Sequence, residues 1–301
     1  MADSSNPTER KYPNSLLKKF RKAILWLYLA SVVISIPIIY ATTYQQALGA
    51  ADKELSLLVD MITAVRKYIS ADVRADLMKA NLFQSPAISS TVTTAKVAGH
   101  FREMRPDYYI KVASDNPLNP KNKPESLERK TLTRFRADDK LDRIVEIGEI
   151  QGKQYLVSAR PSRAKKGCLV CHGDPRKAPD AIKAAYGSGD GYRYRVGSVV
   201  GSIVVGVPFS DITSTVLNRS LIALGIFSLI FGIIFLTVSA IVKKQIVQPV
   251  KRITDIAIAI SKGDIGQNID VDRDGSEIGE LGHAFQLVER SLSFAMKKMR
   301  Q

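Results

Sequence analysis

LIALGIFSLIFGIIFLTVSAIV, residues 221–242, is an apolar run without a charged side chain, and it decides the architecture of this chain. A second run, ILWLYLASVVISIPIIYATTY at residues 24–44, has the same character. About 20 residues of α-helix cross a hydrocarbon core of roughly 30 Å, so both runs are long enough to span a membrane. Each run is apolar on every face, which is not typical of a helix in a soluble protein. We predict transmembrane helices at residues 23–45 and 219–242.

Basic residues flank both runs. They are Lys18, Lys19, Arg21 and Lys22 before the first run, and Lys243 and Lys244 after the second. Under the positive-inside rule these flanks place both chain ends in the cytoplasm and residues 46–216 outside it. The formal net charge of +15 then reflects membrane topology, and no nucleic-acid partner is expected.

A cleaved signal peptide is the alternative interpretation of the first run. The apolar stretch of such a peptide spans roughly 7 to 15 residues and ends at a small-residue cleavage site. The residues at 41–43 match such a site weakly and the run is longer, which favours an uncleaved anchor. Residues 1–22 are interpreted as a cytoplasmic tail, because their first dozen positions lack apolar periodicity.

The segment between the two runs alternates between helical and strand patterns. Apolar residues recur at steps of three and four over residues 55–73, which predicts a helix from about 50 to 79, and a shorter helix is expected at 89–103. Strand patterns occupy residues 108–113, 143–150, 154–160 and 196–208. The predicted fold class is α+β, with a mainly antiparallel sheet and the helices on one side of it.

The segment CLVCH, at residues 168–172, is the most informative about chemistry. Cys168 and Cys171 are the only two cysteines, and their spacing allows both thiols to bond to the vinyl groups of one haem. His172 follows directly, where it can bind the iron as the proximal ligand. We therefore predict haem c as the cofactor. The predicted topology agrees, since c-type haem is attached outside the cytoplasmic membrane.

Other uses of the same motif compete with haem. A structural zinc site normally needs four ligands, and the chain offers no second cysteine pair and only two other histidines. A redox-active dithiol usually opens a helix in a βαβ setting, which the strand pattern here does not predict. An ordinary disulfide is the remaining alternative. The redox-active dithiol has no need of the adjacent histidine.

The distal side of the iron is less defined by sequence. His100 or Met61 is our candidate for the distal ligand, and Met78 and Met104 are the other outer residues able to supply one. A methionine on an amphipathic helix is more often a packing residue than a ligand. A five-coordinate iron with an open position is the alternative, and it would turn a redox protein into a gas sensor.

Haem propionates need cationic or hydrogen-bonding neighbours. Arg66 and Tyr68 on the first outer helix are our candidates, with Arg160 and Arg163 as alternatives. The glycine-rich residues 187–191 do not follow a strand or open a helix, so we interpret them as a loop over the haem edge and not as a dinucleotide-binding turn.

Residues 243–301 have the pattern of two short heptad helices. Apolar residues recur at steps of three and four from Pro249 to Ile260, and again over residues 278–292, after a connector that contains Ile265 and Ile269. Such helices bury their apolar seams when a second chain supplies the partners of a parallel four-helix bundle. This pattern predicts a homodimer. A generic coiled coil beside the membrane is the alternative.

Twenty positions between residues 50 and 210 carry a family resemblance. They are Arg66, Tyr68, Asn116, Pro117, Asn119, Pro120, Glu128, Leu132, Phe135, Cys168, Leu169, Cys171, His172, Gly173, Pro179, Tyr186, Gly187, Gly197, Gly201 and Pro208. This set resembles the PAS-like haem-c sensor domains of bacterial transmembrane receptors. Pro249 and the EIGEL run at residues 277–281 resemble a HAMP domain. The resemblance implies a periplasmic PAS-like domain between two transmembrane helices in a bacterial inner membrane, with a cytoplasmic HAMP coiled coil.

The expected function is a membrane-bound haem-c sensor of redox state or of a gas. We expect the signal to pass through the HAMP domain to a separate cytoplasmic protein such as a kinase, since about 55 residues after the second span are too few for a catalytic domain. The alternative is a membrane-anchored monohaem c-type cytochrome for electron transfer, which has no need of a two-state cytoplasmic coil. No enzymatic activity is expected, because outside the haem motif we find no nucleophile–base pair and no paired carboxylates.

Overall fold

The computed structural model describes residues 15–80, 82, 84–263 and 275–299. Two compact units divide the chain: residues 40–220 form one, and the described residues up to 39 and from 221 onward form the other. The connector residues Ile265 and Ile269, and most of the predicted tail, lie outside the described residues.

Helices occupy both ends of the chain, and four strands lie between them. In chain order the helices are α1 (Leu16–Tyr68), α2 (Arg74–Lys79), α3 (Ser85–Ile88), α4 (Ser90–Met104), α5 (Ser126–Ala137), α6 (Leu169–His172), α7 (Asp180–Tyr186), α8 (Phe209–Val242), α9 (Gln248–Ser261) and α10 (Glu277–Met299). The strands are β1 (Tyr109–Ala113), β2 (Ile144–Ile150), β3 (Lys153–Arg163) and β4 (Val199–Pro208). Single π-helical turns, Ile69–Val73 and Lys243–Val247, join α1 to α2 and α8 to α9.

Two helical segments have the length and composition of membrane spans. Leu16–Lys79 and Phe209–Ser261 reach mean hydropathies of 2.2 and 2.8 in their most apolar 18-residue windows. Within the unit that holds both windows, the ring of Tyr28 packs against Phe231 at 4.5 Å between centroids, and its hydroxyl donates to Ser228 Oγ at 2.7 Å. The two apolar helices predicted from sequence are therefore present, and they contact each other.

The unit formed by residues 40–220 contains a four-stranded antiparallel sheet in the order β1-β4-β3-β2. On one face, Leu55, Val59 and Ile62 of α1 pack with Leu156, Ile203, Val205 and Val207. On the other face, Leu132 and Phe135 of α5 pack with Val157, Ala159 and Val204. The predicted combination of helices with an antiparallel sheet is confirmed.

One detail of the predicted fold was wrong, because the helices are not confined to one side. Consecutive residues of β3 and β4 are buried, over residues 155–159 and 201–208 respectively. A strand that is buried at consecutive positions needs cover on both faces of the sheet. Helix α1 supplies one cover and α5 supplies the other. This arrangement leaves the insert between β3 and β4 at one end of the sheet.

Candidate cofactor site at residues 168–172

The CLVCH motif lies in the insert between β3 and β4. The Ala164 amide donates to Ser198 O at 3.0 Å, and the Gly197 amide donates to Ala164 O at 2.8 Å, so the two ends of the insert are held together. A 3-10 turn, Lys166–Cys168, runs directly into α6. Residues three apart lie on the same face of a helical turn, which brings Cys168 and Cys171 to one side. Both cysteines are free thiols and partly buried.

The two thiols and the imidazole of His172 line a cavity of about 200 Å³. Much of its wall is apolar, formed by Ile88, Val112, Pro117, Leu118, Ile182 and Val200. The guanidinium groups of Arg66 and Arg74 line it as well. A flat apolar group with anionic substituents, attached through two thioether bonds, matches this lining. Among the described residues, no three His, Cys, Asp or Glu side chains form a group able to hold a metal ion.

His172 is held in one orientation by two contacts. Its Nδ1 lies 2.6 Å from Gly191 O, and since a carbonyl only accepts, Nδ1 carries the proton and donates. Its ring stacks on Tyr194 with centroids 4.6 Å apart and planes inclined by 5°. Donation from Nδ1 leaves the Nε2 lone pair free to bind a metal. Burial lowers the pKa of His172, which favours the neutral imidazole that a metal requires.

Asn116 fixes the loop that orients His172. Its side-chain oxygen accepts from the Gly191 amide at 2.6 Å, and its side-chain amide donates to Tyr192 O at 3.1 Å. Its backbone carbonyl accepts from the Tyr194 hydroxyl at 2.7 Å. Gly191 has a φ of 85°, and a Cβ atom there would lie 2.6 Å from the Leu118 nitrogen, so only glycine fits.

A second wall comes from α1 and α2, and on it Arg74 Nη1 also lies 3.5 Å from Gly167 O, beside the motif. An α-helix turns about 100° per residue, so eight residues would place Arg74 about 80° around the axis from Arg66. The π turn at Ile69–Val73 inserts one extra residue, which reduces this angle to about 20°. Met78, one turn beyond Arg74, then also lines the cavity. The π turn is therefore the feature that aligns two cations on one wall.

Arg66 has few partners for a partly buried cation. Its two Nη atoms lie 3.3 Å from Thr91 Oγ1 and 3.5 Å from Ser162 Oγ, and both acceptors are neutral. Within the described part of the chain, no carboxylate forms an ion pair with it. Burial lowers the pKa of Arg66 to about 10, because the charged form loses its water. The site thus presents a buried positive charge to whatever fills the cavity.

Residues 44–208 match the family model described as Tll0287-like, which covers more than half of the chain. The chain belongs to the Tll0287-like family. Residues 241–287 match the HAMP domain model. A solved structure titled as that of the cyanobacterial heme-protein Tll0287 is 18% identical, with a TM-score of 0.41, and its match covers 52% of this chain and 93% of that one. No curated protein matches the chain.

The predicted order of a sensor-type domain followed by a HAMP domain is confirmed. A HAMP domain implies a membrane context and signalling to an output domain or partner, and together the two domains suggest a signal-transducing sensor.

The Tll0287-like domain brings only some of the predicted site residues together. Cys168, Cys171, His172 and Arg66 meet at the cavity, as does Arg163, which is also paired with Asp139. Arg160 is paired instead with Asp60, at 2.7 Å.

Tyr68 and Met61 do not line the cavity; they are 59% and 66% exposed. Since α-helical residues are about 100° apart, Tyr68 lies about 160° and Met61 about 140° around the axis from Arg66, so neither shares its face. The structure therefore does not place Tyr68 as a propionate contact or Met61 as a distal ligand.

His100 also lies away from the cavity. Its ring contacts Glu103 at 3.4 Å, and its side chain is 78% exposed. The cavity meets α4 only at the first turn, around Thr91 and Val92, and nine residues of helix carry His100 about 13 Å further along. Met104 is exposed as well. Of the outer residues considered as distal ligands, Met78 is the one at the cavity.

Sequence reasoning missed three positioning residues of the Tll0287-like domain: Arg74, Asn116 and Tyr194. Asn116 belongs to an Asn-Pro pair that marked the family resemblance, and that pair was the available signal for it. Arg74 faces the cavity because of the π turn, and no periodicity in the sequence predicted that turn. Tyr194 lies in the segment after the glycine-rich loop, for which the sequence pattern predicted no function.

Proposed function

We propose that this protein is a membrane-bound haem-c sensor of redox state or of a gas, and that it relays its signal through the HAMP domain. The observation that carries the proposal is the hydrogen bond from His172 Nδ1 to Gly191 O, with the free thiols of Cys168 and Cys171 at the same cavity. Haem c uses two thiols and the adjacent imidazole at once. When bound, the haem supplies one-electron redox chemistry and an iron coordination position.

The basic wall supports the same assignment. Burying a cation without an anionic partner is costly, and Arg66 has only neutral partners in the described structure. A carboxylate of the cofactor beside Arg66 and Arg74 would balance that charge through charge-assisted hydrogen bonds. Arg74 is itself anchored by donating to Ile88 O at 2.9 Å, so its position is set before any ligand arrives.

The fold supports transmission from the cavity to the membrane helices. Strand β4 contributes Val200 and Gly201 to the cavity wall, and α8 begins at Phe209, directly after the last residue of β4. Strand β3 is tied to α1 by the ion pair of Arg160 with Asp60. Helix α8 continues through a π turn into α9, so a displacement of β4 has a continuous helical route toward the HAMP helices.

The HAMP helices support a homodimer. Helix α10 exposes Leu281, Val288 and Leu292 at heptad-like spacing, and each is at least 42% exposed in the single chain. A second copy would cover these side chains in a parallel four-helix bundle. We propose that both chain ends are cytoplasmic, that residues 46–216 are periplasmic in a bacterial inner membrane, and that the output is a separate signalling protein such as a kinase. We propose no enzymatic activity for this chain.

The test is hydrogen–deuterium exchange of the full-length chain in lipid nanodiscs. Exchange in α9 and α10 is measured with the haem oxidised, reduced, and reduced under carbon monoxide. A sensor changes exchange in these helices with at least one of these states, and the Cys168→Ser/Cys171→Ser double variant shows no change. Haem-loaded protein with the same exchange in every state would instead indicate a membrane-anchored electron-transfer cytochrome.

A further inference from the structure

Positive charge is concentrated in the segment that carries the CLVCH motif. Residues 44–162 contain 19 basic and 15 acidic residues, whereas residues 163–195 contain eight basic and three acidic residues. The short segment thus has the larger net charge. The positive-inside rule favours positive charge on the cytoplasmic side and does not account for an excess on the outer side. Another cause is needed for this local bias.

Five exposed basic side chains form what we call the basic surface. They are Lys165, Lys166, Lys177, Arg193 and Arg195. Among the described residues, none of the five has a carboxylate within ion-pair distance. The other three basic residues of the segment are paired, as Arg163 with Asp139, Arg176 with Asp174 and Lys183 with Asp180. The basic surface therefore carries uncompensated charge.

Backbone hydrogen bonds bring the basic surface together around the motif. The amides of Arg193 and Tyr194 donate to Gly173 O and His172 O, each at 2.9 Å. The hydrogen bonds between Ala164 and residues 197–198 bring the chain beside Arg195 next to the lysines at 165 and 166. Basic residues that are separated in sequence thus lie near one short helix, α6.

The cavity is open to solvent beside the basic surface. Gly167 and Val170 both line the cavity, yet both are exposed, Val170 by 42%. Gly167 directly precedes Cys168, and Val170 directly precedes Cys171. A group bonded to the two thiols therefore lies next to a surface that another protein can reach.

The basic surface is at the end of the sheet away from α8. Ten residues of β4 separate Val199, next to the insert, from Pro208, where α8 begins. The nine steps between these two residues, at about 3.3 Å each, give about 30 Å, several times the Debye length of roughly 8 Å at physiological salt. The basic surface therefore lies beyond electrostatic reach of the residues at the start of α8. A soluble macromolecule is the better match.

We propose that the basic surface docks an acidic electron-transfer protein, which exchanges one electron with the haem. This inference rests on the haem proposed above. The reduced carrier loses one electron and the ferric iron becomes ferrous; no bond breaks and no proton moves. Complementary charge steers such encounters and raises the association rate by about 10- to 1,000-fold at low salt. The redox state that the sensor reports is then that of its carrier pool.

The experiment is stopped-flow reduction of the haem-loaded full-length protein, in nanodiscs of zwitterionic lipid, by an acidic flavodoxin in its hydroquinone form. We expect the second-order rate constant to fall at least about tenfold between about 20 mM and 500 mM salt. Lys166→Glu/Lys177→Glu should lower the low-salt constant by about tenfold, and Lys166→Gln/Lys177→Gln by a smaller factor. The control Lys53→Glu/Lys153→Glu makes the same charge change on exposed lysines remote from the motif, and should change the constant by less than about twofold.

Three results would overturn the proposal. One is a rate constant that does not depend on salt, and another is an equal loss in the patch variant and the control variant. The third is an unchanged flavodoxin rate together with lost binding of the patch variant to vesicles of anionic lipid, which would assign the surface to lipid. All three are obtained with protein that shows a Soret band, so they leave the haem assignment intact. A chain without a Soret band would overturn both.

Discussion

The two walls of the cavity are built in different ways. On the motif side, each polar group that orients His172 has a partner at normal distance, and most partners are backbone atoms of residues 191–194. On the second wall, formed by α1 and α2, Arg66 lines the cavity with only two long hydrogen bonds to hydroxyl groups. On the first wall, the groups that orient His172 are hydrogen-bonded without a ligand. On the second wall, the charge of Arg66 is balanced only when a negative charge is added.

This difference assigns a task to each wall. In the proposed haem site, the fixed orientation of His172 would set the direction from which its imidazole binds the iron. A desolvated cation selects for anionic groups and is destabilising without them, so the Arg66 side links cofactor loading to stability. Variants on the two walls should therefore give different signatures.

Removal of His172 should have the largest effect on the motif side. In His172→Gly no side chain of the motif remains to bind the proximal face of the iron. We expect the visible spectrum of the wild-type haem to be lost, and to return when free imidazole is added to fill the space. A spectrum that is unchanged by the substitution would show that the iron does not bind His172.

Arg66→Met should change stability in opposite directions with and without haem. In the Cys168→Ser/Cys171→Ser background, removing the buried unpaired cation should stabilise the domain by about 2 kcal/mol. In the haem-loaded chain, loss of the charge-assisted hydrogen bond should destabilise it by about 2 kcal/mol. Thermal unfolding of both forms measures the two effects.

The matched control for Arg66 is Arg160→Met. Arg160 is paired with Asp60 and does not line the cavity, so its loss should destabilise both forms slightly. If Arg66→Met changes stability with the same sign in both forms, the two walls do not differ as proposed.

Gly191→Ala tests the rigidity of the motif side. The added Cβ would meet the backbone of Leu118, and the φ of 85° is strained for alanine, so a loss of about 2 kcal/mol is expected. The displaced carbonyl should also change the visible spectrum of the haem. Gly189→Ala, where an added Cβ has no atom within 4 Å, should change neither quantity. Similar effects at both glycines would contradict the role of the Gly191 carbonyl.

Tyr194→Phe should have the smallest effect. The substitution removes the hydrogen bond to Asn116 O but keeps the ring on His172, so a loss of about 1 kcal/mol is expected. Tyr192→Phe is its counterpart, because it loses a similar bond to Gly187 O without touching His172. We expect equal destabilisation by the two variants, with a change of the visible spectrum only for Tyr194→Phe.

The same comparison explains what sequence could predict. The motif side rests on residues adjacent in the chain, so the spacing of Cys168, Cys171 and His172 was enough to place them together. The two apolar runs and the antiparallel hairpin follow equally from local patterns. The sequence pattern of β3 and β4 did not show that both faces of these strands are buried. The packing of α5 on the second face of the sheet was therefore not predicted.

The wall that holds Arg66 and Arg74 depends on which side chains of α1 and α2 face the cavity. Composition and spacing did not predict this. Helical geometry alone puts Arg66 and Tyr68 on different faces, so both could not contact one ligand. The π turn after Tyr68 then shifts the phase once more and brings in Arg74. Contacts between residues distant in sequence, such as those of Asn116 with the loop at 191–194, depend on the tertiary structure. The sequence pattern predicts them only weakly.

The central claim is that one haem is bonded to both thiols of the motif, and intact-mass spectrometry tests it most directly. The chain is produced in a host that matures c-type cytochromes, denatured, and treated with an alkylating reagent. We predict a mass increased by one haem, a pyridine haemochrome spectrum of the c type, and no alkylation of Cys168 or Cys171. An unmodified chain with two alkylated cysteines would contradict the claim.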